Sequence, residues 1–216
     1  MNIQEQIIND LKDVANSSGE VDFMNVYKGL PIVNKAYIQA IHNNVVTFTI
    51  HKQQAACLKH DNSPLILSNS LRDAASGDVT ALDTSVLTAS MTNFEYAGHR
   101  IRGRMVLRVV PNDPIEVKII TGDQTFTFNM ADICVEGIGV DGSPAAWHPK
   151  RNNPIEIEFY LPTGRIRSTG TVRYATQELN PSRIGFDFAH GTHVRAQVNE
   201  YITQRREEIL RELEEG

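Results

Sequence analysis

Between residues 155 and 161 apolar and polar side chains alternate without interruption: Ile155, Ile157, Phe159 and Leu161 against Glu156, Glu158 and Tyr160. A period of two puts the two sets on opposite faces of a strand, one toward a core and one toward water. Shorter runs of the same kind recur along most of the chain, each ended by turn-forming residues. Ala36–Ala40 and Val45–Ile50 flank His42-Asn43-Asn44, and Pro64–Leu67, Val79–Leu82 and Val86–Tyr96 follow. Later, Ile115–Ile120 and Thr125–Asn129 flank Thr121-Gly122-Asp123, and Pro162-Thr163-Gly164 leads into Arg165–Tyr174. Ile184, Phe186 and Phe188 alternate once more. Many short antiparallel strands leave exposed edges unless the sheet closes on itself. The expected fold is therefore mainly β: the first group of strands suggests a small barrel or sandwich, and about six antiparallel strands in the later part can close as a barrel.

Helices are expected only at the ends. Over residues 2–15, Ile3, Ile7, Leu11 and Val14 recur at helical spacing, with Ile8 widening the stripe. From about Thr192 a second stripe runs through Val194, Val198, Tyr201, Ile202, Ile209 and Leu213. The bland reading packs that stripe on its own domain; the alternative is a homodimer.

Composition narrows the setting. The 216 residues carry 21 Lys+Arg against 26 Asp+Glu, a net charge of −5, which argues against DNA as a partner. No apolar run approaches the roughly 18 residues of a membrane span. Glu5, Asp10 and Asp13 make the N-terminus unlike a signal peptide, and Cys57 and Cys134 are too few for a disulfide framework. A reduced, cytoplasmic protein is expected.

Against that acidic background, Ala97–Arg108 holds Arg100, Arg102, Arg104 and Arg108 and no acidic residue. It divides the chain into an N-terminal helix and barrel (residues 1–96), an arginine-rich linker (97–108) and a barrel with a C-terminal helix (109–216). Other motifs lead nowhere. Gly137-Ile-Gly139-Val-Asp-Gly142 fits a dinucleotide-binding string, but Ser143-Pro144 follows where a helix must begin. His190 and His193 near Asp187 lack a second cluster of metal ligands, and Trp147 reads as loop packing, with base stacking the lesser option. Neither cysteine has a nucleophile's surroundings, so the chain is read as a non-enzyme without a cofactor or metal.

Two pieces remain: Arg104-Met-Val-Leu-Arg108 and, 24 residues after Arg108, Asp132-Ile-Cys134-Val-Glu-Gly137. With Gly170-Thr-Val172-Arg173 and Arg183-Ile184-Gly185-Phe186-Asp187-Phe188, they resemble the PilZ domain, the bacterial receptor module for cyclic di-GMP. That family shows R-x-x-x-R at the entrance to a six-stranded barrel and [D/N]-x-S-x-x-G about two dozen residues later. The resemblance covers about Arg100–His190, and residues 20–96 more loosely resemble the first barrel of flagellar-brake-like two-domain relatives. Arg100/Arg104 also satisfies R-x-x-x-R; Arg104/Arg108 is preferred because Val109-Val110 then begins a strand.

The resemblance implies a cyclic di-GMP site made of Arg104, Arg108, Asp132, Cys134 and Gly137, with Arg100 and Arg102 beside it. Forked guanidinium groups suit phosphates and the O6/N7 edge of guanine, and a carboxylate can accept from guanine N1–H and the amine. Cys134 departs from the family's serine, and a thiol bonds more weakly than a hydroxyl. The implied output is a change in barrel arrangement read by a protein partner in motility or biofilm control. Two other readings stay open: a degenerate adaptor that binds no nucleotide, and a small-barrel flavin-type enzyme.

Overall fold

A computed structural model describes residues 2–98, 107–142, 147, 149–176, 182–189 and 191–215. Arg100, Arg102, Arg104 and His190 lie outside these residues. The chain is mainly β, with two closed six-stranded antiparallel barrels and a helix at each end. It divides into two compact units, residues 1–105 with 210–216 and residues 106–209.

The first unit opens with α1 (Ile3–Ser17). Asn2 caps it, its side chain accepting from the Gln4 N–H while Glu5 reaches back to the Asn2 N–H. Ile7, Ile8, Leu11 and Val14 are buried as the stripe requires, but Ile3 is 58% exposed. Its place in the first turn puts it ahead of the core that Ile7 reaches. The barrel runs β1 (Glu20–Tyr27), β2 (Leu30–His42), β3 (Val45–Thr49), β6 (Thr88–Tyr96), β5 (Ala75–Asp83), β4 (Leu65–Leu67) and back to β1. Asn43 and Asn44 both take positive φ, 45° and 68°, the requirement of a tight two-residue hairpin. Inside, Phe23 and Phe48 meet edge to face at 5.6 Å among the side chains of α1.

Two elements went unread in the sequence. β1 is one, because buried Asn25 breaks the apolar series begun by Val21 and Phe23. The other is α2 (Lys52–Leu58), too short to show a helical period. Its Gln54 is fully buried, and its amide nitrogen donates to the carbonyls of Phe23 (2.6 Å) and Ile32 (2.9 Å). Val86 also differs from expectation: it lies in the turn before β6 and is 63% exposed.

In the second unit the closed ring is β8 (Glu116–Thr121), β9 (Gln124–Cys134), β10 (Gly137–Asp141), β13 (Arg183–Phe188), β12 (Gly164–Thr176) and β11 (Pro154–Leu161), which returns to β8. The two-residue β7 (Arg108–Val109) pairs with the end of β9, where β8 no longer reaches. Ile133, Ile138, Val140, Ile157, Phe159, Ile166, Ile184 and Phe186 fill the interior. Trp147 stacks on Phe126 at 5.1 Å and near-parallel to Phe186 at 6.1 Å, so it packs within this unit. The terminal helix, α3 (Thr192–Glu215), buries Val198, Tyr201, Ile202, Ile209 and Leu213. No helix is long and apolar enough to cross a membrane among the described residues.

Gln54→Ala is expected to destabilise the protein by about 2–4 kcal/mol, since two buried carbonyls lose their donor and a cavity opens. A urea melt of the two proteins measures the difference.

Candidate functional site

Strand β9 sets the site through one irregularity. Gly139 pairs with Asp132, but the next partner of Val140 is Met130, so Ala131 is an extra residue in a bulge. Met130 and Ile133 are both buried although three residues apart. The bulge therefore changes phase: Ile133 keeps to the interior, and Asp132 and Cys134 turn to the outer face. Without it, strict alternation would aim Asp132 into the barrel.

Register then brings distant residues side by side. One row crosses the sheet as Tyr174, Gly185, Gly139 and Asp132. The next runs Thr171, Asp187, Gly137, Cys134 and Arg108. A third contains Arg183 and Asp141. The glycines matter here for space. A Cβ at Gly139 would lie 3.0 Å from an Asp132 carboxylate oxygen, one at Gly185 would overlap the Tyr174 ring, and one at Gly137 would overlap the Phe186 carbonyl. The three glycines are buried, and the absence of their side chains lets the Asp132 carboxylate, the Tyr174 ring and the Phe186 carbonyl lie close against the strands.

Charges on this face come in pairs. Arg108 Nη1 donates to Asp132 Oδ1 at 2.7 Å. Arg183 Nη1 lies 3.3 Å from the other oxygen, Oδ2, and its Nε lies 3.5 Å from Asp141 Oδ1. Arg173, the extra residue of a second bulge in β12, donates to Asp187 at 3.1 Å. Burial works against the Arg108 charge, but the Asp132 carboxylate, with smaller effects from Cys134 and Tyr174, outweighs it and holds the guanidinium more firmly protonated than a free arginine.

Of the residues singled out in the sequence, Arg108, Asp132, Cys134 and Gly137 are neighbours on this face. Arg100, Arg102 and Arg104 lie outside the described residues. Asp132 is largely buried and Cys134 almost wholly so, at 7% and 1% exposure. Sequence reasoning gave no site role to Tyr174, Arg183, Gly139, Gly185 or Asp141, although Arg183 and Gly185 stand in the late-strand string that helps carry the family resemblance. A signal existed in the matching periods Gly137-x-Gly139-x-Asp141 and Arg183-x-Gly185-x-Asp187, which place each set on one strand face. The described residues contain no group of His, Cys, Asp and Glu able to hold a metal ion.

Both thiols are buried, and burial pushes Cys57 up to about 11. In the folded protein neither Cys57 nor Cys134 is expected to react with Ellman's reagent at neutral pH, and both should react once the chain is unfolded. Rapid labelling of one thiol in the native state would show that the face around Cys134, or the core around Cys57, is open.

The chain matches no protein-family model and no curated protein. It is similar in structure to MrkH of K. pneumonia in complex with c-di-GMP, at TM-score 0.51 and 11% identity, over 97% of this chain and 96% of that one. It is also similar to the PilZ domain with c-di-GMP of YcgR from Escherichia coli, at TM-score 0.44 and 17% identity, over 53% of this chain and 99% of that one. A third likeness is to the Bacillus subtilis inhibitor of motility, MotI/DgrA, at TM-score 0.43 and 12% identity, over 87% and 96%. At 11% identity, the likeness to MrkH is one of fold, and it extends over both barrels.

Proposed function

We propose that this chain is a PilZ-type cyclic di-GMP receptor that acts by binding rather than catalysis. The observation that carries the reading is the pairing of Arg108 with Asp132 on one outer barrel face, at 2.7 Å, with Gly137 in the adjoining row of the sheet. Those residues belong to the two motifs, R-x-x-x-R and D-x-C-x-x-G, on which the family resemblance rests. The two-barrel fold shared with MrkH, which was solved with c-di-GMP bound, supports it.

In this reading the ligand lies against the face of the second barrel and is enclosed by Arg100, Arg102 and Arg104 of the segment that precedes β7. Asp132 accepts from guanine N–H groups, since each carboxylate oxygen has two lone pairs and the arginines use only some of them. Gly137 and Cys134 line the adjoining row. The arginines that fold over the ligand lie in sequence between the two barrels, over residues 97–108. Binding therefore favours one barrel arrangement over others, to the extent that affinity differs between them. The partner that reads the change is a protein of the motility or biofilm machinery rather than DNA, consistent with the net charge of −5.

A second reading is a nucleotide-free adaptor, and Cys134 favours it: a buried thiol stands where the family carries a hydroxyl. Isothermal titration with cyclic di-GMP, with GMP as control, decides between the two. Saturable binding is expected to weaken at higher salt, as a charge-led contact does. Arg108→Ala should weaken it by at least about tenfold, the loss of one charged hydrogen bond of roughly 1.5–3 kcal/mol. Cys134→Ser should bind as well as the unaltered chain or better. A folded protein that releases no heat at two temperatures would leave the adaptor reading.

A further inference from the structure

The described part of the ligand face matches three arginines, Arg108, Arg173 and Arg183, with three aspartates, Asp132, Asp141 and Asp187. A formally balanced surface is a poor seat for a phosphate dianion, because each guanidinium already has a carboxylate beside it. It suits a flat group that carries donors and acceptors together. Guanine is such a group: N1–H and the 2-amine donate, and O6 and N7 accept along a different edge. Gly139 and Gly185 are buried here, one against the Asp132 carboxylate and the other against the Tyr174 ring, so the parts of this face open to a base are its arginine side chains.

Arg183 is held for that task. Its Nη1 lies 3.3 Å from Asp132 Oδ2 and its Nε 3.5 Å from Asp141 Oδ1, ion-pair distances that keep the guanidinium beside both carboxylates. The Arg183 side chain is 32% exposed. Arg108 reaches the same carboxylate from the opposite strand edge at 2.7 Å. Asp132 thus has two guanidinium groups beside it, and each carries five N–H donors, more than one carboxylate contact uses.

We infer that Arg183 is a second ligand-facing arginine of the barrel, and that it donates to the N7/O6 edge of a bound guanine. This rests on the receptor reading above and deepens it, assigning base recognition to β13. The phosphates then fall to the arginine-rich segment of residues 97–108, where no acidic side chain competes.

A cycle pairing a side chain with a ligand atom tests it. Affinities of the unaltered full chain, Arg183→Ala and Arg183→Lys are measured for cyclic di-GMP and for its 7-deaza analogue, in which CH replaces N7. Arg183→Ala should weaken cyclic di-GMP binding about five- to a hundredfold, the range of a bidentate arginine–guanine pair. The unaltered chain should discriminate against the 7-deaza ligand at least about fivefold, and Arg183→Ala should not. Arg183→Lys keeps a charge without the fork; it should bind more weakly than the unaltered chain with a smaller penalty for losing N7, and it closes the cycle if Arg183→Ala binds too weakly to titrate. Melting curves of both variants verify the fold.

An equal N7 penalty with and without Arg183, or none in the unaltered chain, would overturn the assignment. So would full affinity in either variant. In those cases cyclic di-GMP binding by the unaltered chain still stands, whereas its absence overturns the receptor reading and this inference together.

Discussion

Asp132 is the residue about which the second barrel's outer face is arranged. A carboxylate that is largely buried has to find partners, and this one has two, Arg108 from β7 and Arg183 from β13. Its presence on the outer face follows from the bulge at Ala131, which changes the phase of β9 between Met130 and Ile133. The adjacent Gly139 matters as much, because a Cβ there would press on the carboxylate. Bulge, glycine and ion pairs thus form one device, and the site's geometry depends on all three.

A closed barrel makes this economical. Six strands around Ile133, Ile138, Ile157, Phe159, Ile184 and Phe186 give a rigid interior, and every second residue on each strand is left for the outer surface. On β10 and β13 these outward positions are Gly137, Gly139, Asp141, Arg183, Gly185 and Asp187. Small and charged residues replace the ordinary polar cover of a strand, so the Asp132 carboxylate and the Tyr174 ring pack close on the backbone while the arginine side chains reach outward. In the proposed receptor, placing recognition groups on strands rather than loops limits their freedom before a ligand arrives, which lowers the entropic cost of binding.

Much of the fold was legible in the sequence because it rests on short-range periodicity. The strict alternation of residues 155–161 and the Asn43-Asn44 and Gly122-Asp123 turns mark their elements directly. Where the chemistry departs from the pattern, reading failed. Asn25 hides β1 by placing a polar residue inside the barrel, and α2 is too brief for a helical period. Within the site, Arg108, Asp132, Cys134 and Gly137 came from the resemblance to the PilZ family, which gave no site role to Arg183, although its strand belongs to the resemblance, or to Tyr174.

The sequence by itself determined the mainly β architecture, since strand length, turn position and side-chain period are local properties, while the meeting of the two motifs was implied by the family resemblance. Tertiary structure alone decided which side chains share a face and what each one touches. Arg183 and Arg108 are far apart along the chain, and no local rule relates them. They become neighbours of one carboxylate only when β13, β10, β9 and β7 pair in register. A single bulged residue then determines whether that carboxylate faces the core or the surface, because a shift of one position in a period of two reverses every side chain beyond it.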